Sequence, residues 1–249
     1  MKLGFFFFLF LRMLTLLALA VAPGIAIAFY IYWKDKYDRE PLQNLVTSFL
    51  LGIASIVPAV ILEETFEPKL TLYISKFSVY YSLAKAFLIV ALSEEGCKFL
   101  MLRFYAYRQK AFNEPFDGIT YSVMVGMGFA TFENLLYVFQ SGIGTGIVRM
   151  FLSVPAHASF AVIMGYHIGL AKFDPKRSLQ HMAKGLLLAI FFHGSFDFFL
   201  FLQENPNVTH YVSQSLLLVG ALASWWFALR LSFKSIRLQQ EYSRQLFNK

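Results

Sequence analysis

Residues 118–139 read GITYSVMVGMGFATFENLLYVF. The stretch is long and apolar enough to cross a bilayer, which takes about 20 helical residues. Its small and polar residues keep a strict interval, with Gly118, Ser122, Gly126, Ala130 and Asn134 at every fourth position. On a helix that interval marks one face. Small residues on such a face let helix backbones approach closely inside a membrane. The segment therefore reads as a transmembrane helix turned toward other helices, with Glu133 and Asn134 at the end of its packing face.

The pattern recurs twice downstream, at His157, Ala161, Gly165 and Gly169, and at Gly185, Ala189, His193 and Asp197. Composition agrees. Hydrophobic residues make up 57% of the 249, charged residues only 15%, and mean hydropathy is +0.56. A soluble domain carries about 25% charged residues. The 29 phenylalanines suit lipid-facing and packing surfaces.

Apolar helices are expected at about 13–33, 43–62, 84–104, 118–139, 149–171, 182–202 and 211–231. The fold class is thus all-α, a polytopic membrane helix bundle of about seven spans. Glu63–Lys76 reads as a polar connection between spans. The spans form one domain, 13–232, after an N-terminal extension (1–12) and before a basic tail (233–249). Met1–Ala22 also has features of a signal peptide, with Ala18, Ala20 and Ala22 near a cleavage position. Arg12 interrupts that apolar run, and the run continues to Trp33, which favours an uncleaved first helix.

The formal charge of +7 belongs to topology rather than to nucleic-acid binding, because the basic residues lie between spans. Fifteen of the 22 fall on one side, including Lys34, Lys36, Arg39, Arg103, Arg108 and the tail from Arg230. Six fall on the other, including Lys69, Lys76 and Arg149. The positive-inside rule places the N-terminus outside and the C-terminus in the cytoplasm. The single cysteine, Cys97, lies inside a span and reads as packing.

An ionisable side chain within a span costs about 2.5–3.5 kcal/mol on insertion scales and usually has a task. Glu94, Glu95 and Lys98 lie on one arc of the third helix. Glu133, Asn134 and Tyr137 repeat that spacing on the fourth. His157 heads the fifth helix's small-residue face, with His167 off it. His193 and Asp197 on the sixth are four apart, so the carboxylate can hold the imidazole. Four helices are expected to converge on one polar pocket open toward the outer leaflet.

In order, Glu94-Glu95-x-x-Lys98, Phe132-Glu133-Asn134-x-x-Tyr137, His157 with Gly165, and His193-x-x-x-Asp197 resemble the motifs of the PrsW family, within the superfamily of CAAX prenyl proteases and bacteriocin-processing enzymes. Ala22-Pro23-Gly24 and the stretch from Trp33 to Pro41, WKDKYDREP, look like that family's N-terminal region. The resemblance covers roughly residues 20–200. It implies a membrane-embedded endopeptidase that cuts single-pass, membrane-anchored proteins such as anti-sigma factors, in a bacterial cytoplasmic membrane. By position, Glu94, Glu95, His157 and His193 would be catalytic, and Lys98, Glu133, Asn134, Tyr137 and Asp197 would support them.

Peptide hydrolysis needs an activated water, an oxyanion donor and an acid for the leaving amine. Glu94 or Glu95 is the expected base, with His157, His193 and Asn134 as donors. Glu95, His157 and His193 also make an acceptable shell for a divalent metal such as zinc. No His-Glu-x-x-His is present. The residues leave open a glutamate-activated water and a metal-assisted one. Intramembrane Glu, His and Asp also suit a proton- or ion-coupled transporter, or a non-enzymatic scaffold. Oligomeric state is not legible.

Overall fold

The computed structural model of the chain describes residues 2–247, with side chains from residue 6 onward. It is all-helical among the described residues. In order come α1 (Lys2–Lys34), α2 (Leu42–Ala54), α3 (Ile56–Tyr73), α4 (Val79–Ala84), a π-helical turn (Lys85–Ala91) and α5 (Leu92–Phe104). After a short 3-10 turn follow α6 (Asp117–Ser141), α7 (Ile143–Phe151), α8 (Ser153–Phe173), α9 (Ser178–Gln203), α10 (Pro206–Thr209) and α11 (Gln214–Phe247).

Among the described residues, six helical segments are long and apolar enough to span a membrane: Phe6–Lys34, Leu42–Tyr73, Asp117–Ser141, Ile143–Phe173, Pro175–Gln203 and Gln214–Phe247. The seventh expected span, 84–104, is helical but falls short by composition because it carries Lys85, Glu94, Glu95, Lys98 and Arg103. The outer helices turn apolar side chains outward; Phe7, Phe8 and Phe10 are 61–63% exposed. Apolar surface of that extent suits lipid rather than water.

The centre of the bundle is α6, in which every residue from Asp117 to Thr131 is buried. It packs on α1, α2 and α8, while α9 packs on α8, α11 and the π-helical turn. The small-residue faces are where these helices meet. A methyl group on Gly165 would meet Ser122 Cβ at 2.7 Å, and one on Gly126 would meet Ala161 Cβ at 2.7 Å. Ser122 Oγ donates to Ala161 O across the same seam at 2.7 Å. On α9, a methyl on Gly185 would meet His167 Cβ at 2.9 Å. A second seam, not marked by the every-fourth interval, joins α2 to α6: Cβ atoms on Gly52 and Gly128 would overlap the carbonyls of Val125 and Phe49.

Three boundaries differ from the sequence expectation. Helix α1 begins at Lys2 rather than near residue 13, and α11 continues through the expected tail to Phe247. The polar stretch beginning at Glu63 is not a connection; α3 continues through it to Tyr73. One of its carboxylates is paired, Glu67 accepting from Lys85 Nζ at 2.7 Å and from the Tyr81 hydroxyl at 2.8 Å, while Glu63 and Glu64 turn to a cavity in the bundle.

Gly165→Ala is expected to force α6 and α8 apart and lower stability by about 1–3 kcal/mol. Gly144→Ala, where a methyl meets nothing within 4 Å, is expected to change it by less than about 0.5 kcal/mol. Thermal unfolding of the two purified variants beside the parent checks both values.

Candidate active site

The cluster begins on α5, where Glu94, Glu95 and Lys98 are buried at 6%, 1% and 4% exposure. The Lys98 ammonium donates to Glu94 Oε2 at 3.0 Å and to Glu95 Oε1 at 2.8 Å. It lies 3.2 Å from His157 Nδ1 on α8 and 3.9 Å from the centre of the Phe129 ring on α6. An ammonium can only donate, so Nδ1 accepts. The proton of His157 is then on Nε2, which donates to Glu133 Oε2 on α6 at 3.0 Å. One lysine thus sets the tautomer of the histidine and its direction toward Glu133.

On α9, His193 faces carboxylates with both ring nitrogens: Nδ1 to Glu95 Oε1 at 2.9 Å, and Nε2 to Asp197 Oδ2 at 3.2 Å. Its ring stacks on Phe160 at 5.1 Å between centroids and meets the ring of His157 edge-on at 5.1 Å. Of the groups expected to meet from α5, α6, α8 and α9, all but Asn134 do so.

They border a cavity of about 490 Å³, against the roughly 30 Å³ that one water occupies in the liquid. Glu94, Glu133, Tyr137, His157, His193 and Asp197 line it; Glu95 lies behind, holding His193 and Lys98. Glu63 and Glu64 from α3 and Arg149 from α7 also line it. Sequence reasoning missed these three. Arg149 pairs with Glu133 at 2.8 Å and sits 4.1 Å over the Tyr137 ring. Its signal was a lone arginine in an apolar run just after the glycine-rich stretch Gly142–Gly146.

Asn134 does not border the cavity. Its amide nitrogen donates to the carbonyls of Leu19 and Ala20 on α1, at 3.2 and 3.0 Å, and its oxygen accepts from Arg149 Nε at 3.0 Å. It ties α1 to α6 and steadies Arg149. His167 stacks on His181 outside the cluster. Cys97 is buried beside Ile56, Ala59 and Phe129.

Donor atoms of Glu94, Glu95, His157 and His193 all lie within 4.8 Å of one another. Two imidazoles and two carboxylates fit a divalent ion by type and spacing. Lys98 Nζ stands among the same donors, so its ammonium and a metal ion compete for one set of lone pairs.

The family model of PrsW intramembrane metalloproteases matches residues 40–226. The chain is 38% identical over 208 residues to Protease PrsW of Geobacillus kaustophilus, covering 84% of this chain and 86% of that one. It is 34% identical over 214 residues to Protease PrsW of Bacillus subtilis, covering 86% and 92%. It is 32% identical over 229 residues to Protease PrsW of Clostridioides difficile, covering 88% and 89%. No solved structure matches the chain.

Removing Arg149 strips Glu133 of its ion pair and Asn134 Oδ1 of its donor. Arg149→Ala is expected to cost about 2–3 kcal/mol, below the 3–5 kcal/mol of a fully buried pair because the cavity admits water. Arg149→Lys is expected to recover part of that, since a lysine restores the charge without the fork. Thermal unfolding of the two variants tests the ranking.

Proposed function

This chain belongs to the PrsW family of intramembrane metalloproteases, and from that premise we propose that its cavity hydrolyses peptide bonds in single-pass, membrane-anchored proteins. Proteolysis displaces the transporter and scaffold alternatives. The protein is a multi-pass membrane enzyme, and its bacterial relatives support a cytoplasmic membrane as its location. We place the N-terminus outside and the cavity toward the outer leaflet, from the loop charges.

The observation that carries the reading is the meeting of Glu94, Glu133, His157 and His193, from four helices, on one cavity large enough for several waters. Of the adjacent glutamates, Glu94 lines the cavity, so it is the base we assign to water. Its carboxylate takes one proton as the water oxygen bonds to the scissile carbonyl carbon. The same proton then passes to the leaving amine as the carbon–nitrogen bond breaks. Glu95 and Asp197 hold His193 between them, which aims the imidazole at the reacting atoms. The Arg149 guanidinium, which faces the cavity, receives the charge that develops on the carbonyl oxygen. Tyr137 and Phe160 form the apolar wall against which an extended substrate segment rests.

The residues that would hold a metal are Glu95, His157 and His193, with Glu94 as a fourth candidate. Zinc is the ion we propose, from this mixed imidazole–carboxylate set. When bound it supplies Lewis acidity toward water and the carbonyl.

Glu94→Gln, Glu95→Gln, His157→Ala and His193→Ala are each expected to reduce cleavage of a membrane-anchored reporter by about 10²–10⁴-fold, the scale of a lost acid–base group. Insertion and thermal stability should survive in the glutamine variants. Wild-type turnover in three of the four would end the assignment. Bound zinc with loss of activity on chelation supports the metal; a zinc-free preparation of full activity overturns it.

A further inference from the structure

The segment WKDKYDREP (Trp33–Pro41) takes no part in the cavity, yet it carries two carboxylates into the protein interior. Asp35 and Glu40 are 0% and 3% exposed. They meet Glu114, in the connection before α6, and Asp117, the first residue of α6, both 0% exposed. One carboxylate oxygen from each of Asp35, Glu114 and Asp117 lies within 4.8 Å of the other two. Glu40 adjoins them, within hydrogen-bonding reach of Asp117 and in electrostatic contact with Asp35, and the Asp35 and Glu114 carboxyls are within hydrogen-bonding reach of each other. Among the described residues, no Lys, Arg or His forms an ion pair with any of the four.

Protein donors reach Asp35, Glu40 and Asp117 through one oxygen each. The Thr120 hydroxyl donates to Asp35 Oδ2 at 3.5 Å, and the Tyr121 hydroxyl donates to Glu40 Oε2. The backbone N–H groups of Asn113 and Glu114 donate to Asp117 Oδ2 at 2.8 and 2.7 Å. The second oxygens of all three, and both oxygens of Glu114, are buried without a partner. Orientation through one oxygen while the other stays free is how supporting donors prepare carboxylates for a metal. Five desolvated oxygens without a donor are otherwise costly.

We propose that this cluster is a second, structural cation site that takes one hard divalent ion of the magnesium–calcium class. Its donors are all oxygen, which favours hard ions over zinc. Asp117 and Glu133 are sixteen residues apart on α6, about 24 Å at 1.5 Å per residue, so the site is separate from the cavity. An ion there clamps the α1–α2 connection and the α5–α6 connection onto the base of α6. The tail helix closes over both: Phe116 N donates to Ser243 Oγ at 3.3 Å, and Gln240 Nε2 donates to Lys34 O at 2.8 Å.

The test uses the full chain in detergent with His157→Ala and His193→Ala, which disable the other candidate site. The protein is stripped with EDTA and titrated with MgCl₂, CaCl₂ or MnCl₂, following thermal unfolding and counting bound Mn²⁺ by electron paramagnetic resonance. One tight Mn²⁺ per chain and a saturable rise in Tm of a few degrees are expected. Both should vanish on adding Asp35→Asn with Glu114→Gln. Those amides relieve repulsion in the ion-free cluster, so the variant should fold at least as well as the stripped parent. If it does not insert, Asp35→Asn alone decides, with affinity for Mn²⁺ weakened at least about tenfold. No bound Mn²⁺ and an unmoved Tm with all three ions overturns the site in favour of shared protons. Binding that survives the cluster substitutions overturns it too.

Discussion

A charge carried into a bilayer has to bring its counter-charge with it, and that constraint organises this bundle. Lys98 answers Glu94 and Glu95 from within one turn of α5, and its remaining reach is taken by His157 on another helix. Arg149 answers Glu133 from α7. The links from Lys98 to His157 and from Arg149 to Glu133 join separate helices, so the polar residues a catalyst needs also hold together the helices that carry them. Pairing one buried charge with another recovers what desolvation removes only when geometry and hydrogen bonding are good. Here the cationic groups also lie against the rings of Phe129 and Tyr137, which favour a cation at their faces.

Close helix approach is the second requirement. In lipid there is no hydrophobic drive between helices, so contact depends on fit and on hydrogen bonds. Gly118, Gly126 and Gly165 let α6 and α8 approach until backbone meets backbone, and the Ser122 hydroxyl bonds across the gap. The seam places Phe129, Glu133 and His157 side by side. A looser seam would leave Lys98 unable to reach His157.

Much of this was legible in the sequence because a regular helix turns about 100° per residue, so spacing reports which residues share a face. Glu94, Glu95, Lys98, His157, His193 and Asp197 followed from that rule. The same rule separates neighbours: Asn134 lies about 100° round from Glu133, which turns one toward α1 and the other toward the cavity. Arg149 was not legible. Its direction is set by the turns at Gly142, with φ +85°, and Leu152, and spacing does not encode turns. Glu63 was concealed for another reason: a cluster of carboxylates reads as water-facing, and only its placement beside the cavity makes it part of a helix in the membrane. Asp35 and Glu114 belong to segments far apart in sequence, and no periodicity links them.

The widened turn at Lys85–Ala91 sets the phase of everything after it. In an uninterrupted α-helix, residues nine apart such as Lys85 and Glu94 point about 180° away from each other. Here both border the same cavity, because the π-helical stretch absorbs the difference. The number of residues in that turn therefore matters independently of which residues they are. Conservative swaps of one aliphatic side chain for another leave the angular setting intact. Losing or gaining a single position rotates the glutamate pair away from its partners while every motif in the chain remains readable.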